Sequence, residues 1–429
     1  MNPKERKQII DLINKEVIPA IGCTEPIAVA LAATKAREVL GNIPESIDIL
    51  LSPNVLKNAM GVGIPGTKMI GLPIAVALGI IAGKSDYQLE VLKDITPEDI
   101  EKGKQMIAEN RIHIGLKENI SDKLYIEVIA KYKEDTASVT TIGEHTQFVY
   151  ITKNNTVLLD KHFLEKEEDI EDAVELTFAK VYQFAMETPL DEIRFILKTA
   201  TLNKSAAEQS FKEQYGHQLG NILAGEKNRM TMGDNLYSHI LSYTSAACDA
   251  RMAGASIAVM TNSGSGNQGI TATIPVVIYA EHEHKTEEEL IRALTLSHLT
   301  VIYIKQYLGR LSALCGCVVA ATGSSCGMTY LMGGSYQQIV YAVKNMIANI
   351  TGMICDGAKP SCSLKIATGV STAFLSAMLA KEDKFVTSVE GIIDDDVDKC
   401  IQNLARIGNV GMEETDKIVL EIMTNKKNR

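Results

Sequence analysis

Chemistry in this chain concentrates between Leu314 and Lys365. Cys315-Gly316-Cys317 is followed by Cys326 and then by Cys355-Asp356-Gly357-Ala358-Lys359-Pro360-Ser361-Cys362, so five of the eight cysteines fall in one stretch. The segments between them read as helix, which lets thiols from separate pieces of chain meet at helix ends. Thiolates brought together by tightly turning backbone are what an iron–sulfur cluster needs. The spacing follows neither the ferredoxin runs nor the paired C-x2-C of a zinc ribbon. The competing reading is that these are reduced thiols packed between helices, where free cysteine usually sits.

Three other stretches carry polar groups in unusual density. In Ile18-Pro19-Ala20-Ile21-Gly22-Cys23-Thr24-Glu25-Pro26, Thr24 is a plausible N-cap and Pro26 falls in the first turn of a small-residue helix from Ile27 to Leu40. Cys23 would then stand at a helix N-terminus, where the dipole and free amides lower a thiol's pKa; the alternative is a small residue at a tight turn. The second stretch, Ser52 to Lys68, reads as a long polar, glycine-rich loop whose amides, with Asn54, Lys57 and Asn58, could hold a carboxylate. The third is Asn262-Ser263-Gly264-Ser265-Gly266-Asn267-Gln268-Gly269. Its glycines free the backbone and its side chains are uncharged donors and acceptors, suited to a small amino or carboxylic acid. It is neither a P-loop, which needs Gly-Lys-Ser/Thr, nor a dinucleotide fingerprint.

Composition narrows the classes. The 429 residues suffice for two or three domains with sizeable cores. A formal net charge of -10 argues against nucleic acid, which wants a basic footprint. The longest apolar run, around Gly71 to Gly83, is too short and too rich in proline and glycine to span a bilayer, so no membrane association is expected. Met1-Asn2-Pro3-Lys4-Glu5-Arg6 carries no apolar signal region, and a cytoplasmic location is expected. In a reducing compartment eight cysteines serve as thiols or metal ligands more readily than as disulfides.

The elements that must position these groups are legible from hydrophobic periodicity. Residues 4 to 17 are helical, 46 to 51 alternate like a half-buried strand, and Leu72 to Asn110 is helical with a clear start at Thr96-Pro97-Glu98-Asp99. Strand-like runs follow at 111–116, 124–132, 138–142, 145–153 and 156–160, and the acidic Glu165–Asp169 marks the exit from them. Beyond Ile170 helices dominate: 170–186, 190–202, 205–211, 236–252, 286–309, 311–320, 337–350, 363–379, 395–407 and 412–425, with a polar loop expected at 225–234. The expected fold is α+β, a large, mostly α-helical catalytic domain with a small inserted β-rich domain. Its parts are residues 1–80, packing on the catalytic domain; 81–169, the small α/β insertion; and 170–429, the helical body.

Ile21-Gly22-Cys23-Thr24-Glu25-Pro26, Asn262 to Gly269, Cys315-Gly316-Cys317 and Met353-Ile354-Cys355-Asp356-Gly357-Ala358-Lys359, taken in this order, resemble the L-cysteine desulfidases. These form a serine-dehydratase-like group (UPF0597) related to the iron–sulfur L-serine dehydratases, and the resemblance spans nearly the whole chain. It implies a 4Fe–4S cluster held by three cysteines, which map by motif onto Cys315, Cys355 and Cys362, with Cys317 the alternative to Cys315. Cys248, Cys326 and Cys400 match no ligand motif. The dehydratases carry a cysteine near the C-terminus that occupies the open iron; the ending Thr424-Asn425-Lys426-Lys427-Asn428-Arg429 leads to the expectation that the iron stays open here.

The implied reaction is β-elimination of L-cysteine to sulfide, ammonia and pyruvate. Cys23 is the candidate base, as a thiolate of lowered pKa, with Glu25 and Lys359 as alternatives. Asn54, Lys57, Asn58, Asn262, Ser263, Ser265, Asn267 and Gln268 are the expected substrate-binding residues. The nearest competing reading is L-serine dehydratase, with hydroxide leaving. An iron–sulfur or thiol sensor lacks a basic partner surface, and a structural zinc site would be one ligand short with no nearby histidine. Pyridoxal phosphate is not expected, because no lysine stands in a phosphate-cup context. A homo-oligomer is compatible with the sequence, which does not specify one.

Overall fold

The computed structural model describes residues 1–120, 122–161 and 174–426. The acidic run at Glu165–Asp169 and the start of the helix expected from Ile170 lie outside the described residues, as does the end of the chain from Lys427. The fold is α+β and mostly helical, with two sheets among the described residues. The described residues form eight strands: β1 (Pro19–Ile21), β2 (Ser46–Leu51), β3 (Ile112–Leu116), β4 (Tyr125–Tyr132), β5 (Asp135–Ile142), β6 (Phe148–Lys153), β7 (Thr156–Asp160) and β8 (Ala258–Met260).

Six strands form one sheet in the order β3-β2-β4-β5-β6-β7, parallel between β2 and β3 and antiparallel elsewhere. Alternation explains its single buried face: in β2 every second residue, Ile47, Ile49 and Leu51, is buried. That face is covered by the helices Thr24–Leu40 and Leu72–Ala82. Ala28, Ala32, Ala33 and Ala36 let the first of these lie close to the sheet, and Thr34 Oγ1 donates to Gly79 O of the second at 2.9 Å. The sheet therefore takes one strand and both covering helices from the first 82 residues, joining them to the strand-rich segment.

The second core belongs to the helical body, built on the helices Leu236–Met252, Gly266–His282, Glu287–Leu308, Gly316–Leu331, Tyr336–Ile350 and Cys362–Lys381. Capping boxes at Asn235, Thr286 and Ser335 start three of them. Cys362–Lys381 is, among the described residues, the one helix of eighteen residues or more whose length and apolar composition match a membrane span. The run was not apparent from the sequence because Lys365 and Lys381 bracket it. Its face of Ile366, Gly369, Val370, Ala373 and Ala377 is buried in the helical body, while Leu364, Leu375, Met378 and Leu379 are exposed.

Several local expectations are revised. The segment after Ser52 is not loop throughout: Pro53 starts a helix that runs to Ala59, using a position where its missing N–H costs nothing. The polar segment 225–234 contains the short helix Glu226–Met232. The helix expected over 311–320 begins only at Gly316, and 197–212 is one helix rather than two. The helix Gly266–His282 starts inside the glycine-rich stretch, with Ser265 as its cap. Its Gly269 packs so tightly on β8 that an added Cβ would lie 1.9 Å from Met260 O, a backbone atom with nowhere to go. Gly269→Ala is expected to lower stability by about 3 kcal/mol or prevent folding, as chemical denaturation would show; an unchanged midpoint would contradict this packing.

Candidate active site

A two-stranded ladder brings the N-terminal motif to the glycine-rich stretch. β1 runs antiparallel to β8, with Pro19 opposite Met260 and Ile21 opposite Ala258. Thr261 N–H and Ser263 N–H extend the contact by donating to Ile18 O at 2.8 Å and Glu16 O at 3.0 Å. Leaving the ladder in opposite directions, each chain enters a helix: Cys23 caps Thr24–Leu40, and Ser265 caps Gly266–His282. Thr24, expected at the cap, is instead the first helical residue.

The cysteines converge by a similar device. An isolated bridge pairs Leu314 with Ile354, Cys315 N–H donates to Met353 O at 2.9 Å, and Cys355 N–H donates to Ala313 O at 2.6 Å. Cys315 then caps Gly316–Leu331, and Cys362 opens Cys362–Lys381. One cavity is lined by Cys315, Cys317, Cys355 and Cys362 together with Cys23, Glu25, Asn58, Arg251, Ser265, Asn267, Gln268 and Lys365. All three expected ligands therefore face one space with Cys23 and Glu25. Cys317 faces it too, but its Sγ donates to Lys365 O at 3.2 Å, whereas among the described residues no such donation occupies Cys315.

Electrostatics around the cavity differ from expectation at one decisive atom. Burial, and then the adjacent Glu25 carboxylate, push the Cys23 thiol far up, so Cys23 is a thiol at neutral pH and not the expected thiolate. Its Sγ donates to Glu25 Oε2 at 3.2 Å. Thr24 Oγ1 donates to the same oxygen at 2.9 Å, and Asn58 Nδ2 donates to Oε1 at 3.1 Å. Burial would raise the Glu25 carboxyl, but the charge of a protonated His145 beside it and the hydrogen bonds from Cys23, its own backbone amide and Thr24 outweigh that and hold it below its usual value. His145 Nε2 lies 4.0 Å from Oε1; burial lowers the ring's own pKa, so it gains the charge that holds Glu25 ionised only as pH falls. Glu25 is the only carboxylate among the described residues lining the cavity.

The thiols raise one another. Cys315 is pushed well up by burial and then by Cys355 and Cys317; Cys317 is raised to about 12 by burial and then by Cys362. Burial also raises Cys362, opposed by the amide of Lys359. These thiols are therefore neutral at physiological pH as they stand, and would ionise on coordination, because a bound metal deprotonates a thiol outright. Among the described residues, no three His, Cys, Asp or Glu side chains form a group able to hold a single metal ion.

Five expected residues lie elsewhere. Asn54 and Lys57 both donate to Asp416 of the helix Glu413–Thr424, and Lys57 Nζ also reaches Cys355 O at 3.2 Å. Asn262 is fully buried and donates to His298 Nδ1 and His298 O, each at 3.0 Å, while Ser263 Oγ donates to Asn262 Oδ1 at 2.8 Å. Lys359 Nζ donates to Asp356 O at 2.6 Å and pairs with the Asp356 carboxylate at 2.7 Å. Burial would raise that carboxylate, but Lys359 and Lys365 together bring it to about 2. None of the five lines the cavity, and Asn54 lines a separate one with Asp416.

The Lys57–Asp416 pair ties the helix Glu413–Thr424 to the helix Pro53–Ala59, whose Lys57 also reaches Cys355 O. Lys57 is 1% exposed, so removing its anion leaves a buried ammonium without a counter-ion. Asp416→Ala is expected to cost about 3 kcal/mol in chemical denaturation, and the double variant Lys57→Met/Asp416→Leu to recover most of it. A loss below about 0.5 kcal/mol for Asp416→Ala would mean that the pair contributes no more than a surface contact.

Sequence reasoning passed over Arg251, His145 and Lys365. Arg251 stands in the last turn of a small-residue helix, where a cation reads as a complement to the helix dipole. His145 precedes a strand and signals nothing until the fold sets it against Glu25. Lys365 belongs to an otherwise apolar helix, and its odd polarity was the one available hint.

The family model of the serine dehydratase alpha chain matches residues 86–421. A UPF0597 protein of Bacteroides thetaiotaomicron is 69% identical over 99% of this chain and 99% of its own. Its counterpart in Porphyromonas gingivalis is 54% identical over the full length of both. That of Shewanella halifaxensis is 44% identical, covering 97% of this chain and 98% of its own. The cavity, its thiols and the motifs that build it thus lie within a match running almost end to end, and the chain belongs to the UPF0597 family of serine-dehydratase-like proteins.

Proposed function

We propose that this protein is an iron–sulfur-dependent carbon–sulfur lyase, an L-cysteine desulfidase that converts L-cysteine to sulfide, ammonia and pyruvate. The observation that carries the reading is the single cavity lined by Cys315, Cys355 and Cys362 together with Glu25. Soft thiols from separate segments suit a multi-iron cluster, whose ligands are spread around it, better than one ion gripped by adjacent donors. Cys315, Cys355 and Cys362 would hold a 4Fe–4S cluster. When bound, such a cluster with one iron free of protein thiolate supplies a Lewis acid for the departing β-thiolate.

The chain's own residues account for the remainder. The Cα proton passes to Glu25, which is ionised before substrate arrives. Cys23, Thr24 and Asn58 fix the orientation of that carboxylate through three hydrogen bonds. Cys23 is therefore a positioning residue with its thiol proton in place. Breaking the Cα–H and Cβ–S bonds leaves α-aminoacrylate and sulfide; the enamine then takes up water and yields pyruvate and ammonia. Lys359, held by Asp356, takes no part in proton transfer. Burial of Cys23 and Glu25 keeps bulk water from the reacting carbon.

L-Serine is the second substrate reading, favoured by the description of the matching family model. Parallel assays of pyruvate from L-cysteine and L-serine, run anaerobically, separate the two. A kcat/KM at least tenfold higher for L-cysteine, with one sulfide per pyruvate, is expected. Pyruvate from L-serine alone would make the protein a dehydratase.

A further inference from the structure

Arg251 is 4% exposed and lines the cavity, yet no anion is paired with it among the described residues. Its Nη1 donates to Asn267 Oδ1 at 3.0 Å, while Nε and Nη2 have no hydrogen-bond partner among the described residues. A buried guanidinium left half unsatisfied is costly unless an anion joins it. Glu25 does not fill that role, because its oxygens accept from Cys23, Thr24 and Asn58.

The two free nitrogens are the pair that grips a carboxylate side-on. The same edge is used elsewhere in this protein, where Arg6 Nε and Nη2 donate to Glu192 Oε2 and Oε1 at 2.7 and 2.9 Å. The chain also makes room for the group. An added Cβ on Gly266 would fall 2.2 Å from Arg251 Nε and 2.7 Å from Cζ, so glycine at the helix start lets the guanidinium lie against it. Asn267 and Gln268, in the same first turn, face the cavity as well.

We propose that Arg251, oriented by Asn267, binds the α-carboxylate of the substrate through Nε and Nη2, with Glu25 on the side of the ammonium. The site then selects free α-amino acids over their amides, esters and decarboxylated amines. This deepens the elimination reading and rests on it only for the identity of the amino acid.

The test uses a ligand that cannot react. L-Alanine has no β-leaving group, so calorimetric titration of the anaerobically reconstituted protein with L-alanine and with L-alaninamide reads carboxylate recognition without turnover. Unsubstituted protein is expected to bind the acid about 100-fold more tightly than the amide. Arg251→Met is expected to remove that preference and leave amide affinity unchanged; Arg251→Lys, which keeps charge without the fork, is expected to recover part of it. Equal affinity of unsubstituted protein for acid and amide would overturn the proposal, and needs no variant to fold. So would loss of iron from Arg251→Lys, which would assign the guanidinium to the thiol site. Absence of elimination from L-cysteine and L-serine would sink the functional reading and leave this binding result standing.

Discussion

Cys355→Ser is expected to give a folded protein that takes up no iron on anaerobic reconstitution and loses elimination activity by at least about 1,000-fold. The expectation rests on position and chemistry together. Cys355 is half-buried on the Leu314–Ile354 bridge, faces the cavity, and exchanges a soft sulfur for a hard, poorly ionised hydroxyl. Cys315→Ser and Cys362→Ser should behave alike. Two controls bound the claim. Cys326→Ala, deep in the body, should keep its iron while losing some stability, and Cys317→Ser should keep iron too, since a hydroxyl can replace the thiol donating to Lys365 O. Iron retained by Cys355→Ser, or lost only in Cys317→Ser, would reassign the ligands.

Glu25→Gln is expected to lower kcat by about 1,000-fold with iron content unchanged, the range typical of removing a general base. Cys23→Ser, which keeps a donor to the carboxylate, should cost about tenfold; the reverse order would return the base to the thiol. The pH dependence follows from the sign of the shift. Glu25 titrates below the ordinary carboxyl value of 4.5, so activity should hold as pH falls from 7 to 5 and decline only below 4.5. The same shift adds stability that is present above pH 4.5 and is lost as pH falls through the lower folded value. Denaturation of Glu25→Gln alongside the unsubstituted protein should show the difference between them narrowing in that window.

What could be read in advance was what depends on neighbours in the chain. The five thiols from 315 to 362 announced themselves by residue type, the choice of 315, 355 and 362 among them came from the resemblance, and the flanking helices were visible by periodicity. Most of the six-stranded sheet was visible as alternation, because one buried face imposes a period of two. Lys57 shows the limit. Asparagines and a lysine after Ser52 have the composition of an anion-binding loop, but Pro53 starts a helix there, and Asp416, far along the chain, takes the ammonium. Cys23 shows another: the pull of a helix N-terminus on a thiol is outweighed here by burial and by the charge of Glu25. Arg251 was invisible because its meaning lies in what it lacks, two buried donors without acceptors among the described residues.

The most direct test of the account is to measure iron and sulfide release on one anaerobically reconstituted sample. About four irons per chain, with sulfide and pyruvate formed from L-cysteine in equal amounts and lost when the iron is stripped, is the predicted result. Elimination from L-cysteine by a chain that holds no iron, or no iron uptake at all, would contradict it and return Cys315, Cys355 and Cys362 to the role of packed thiols.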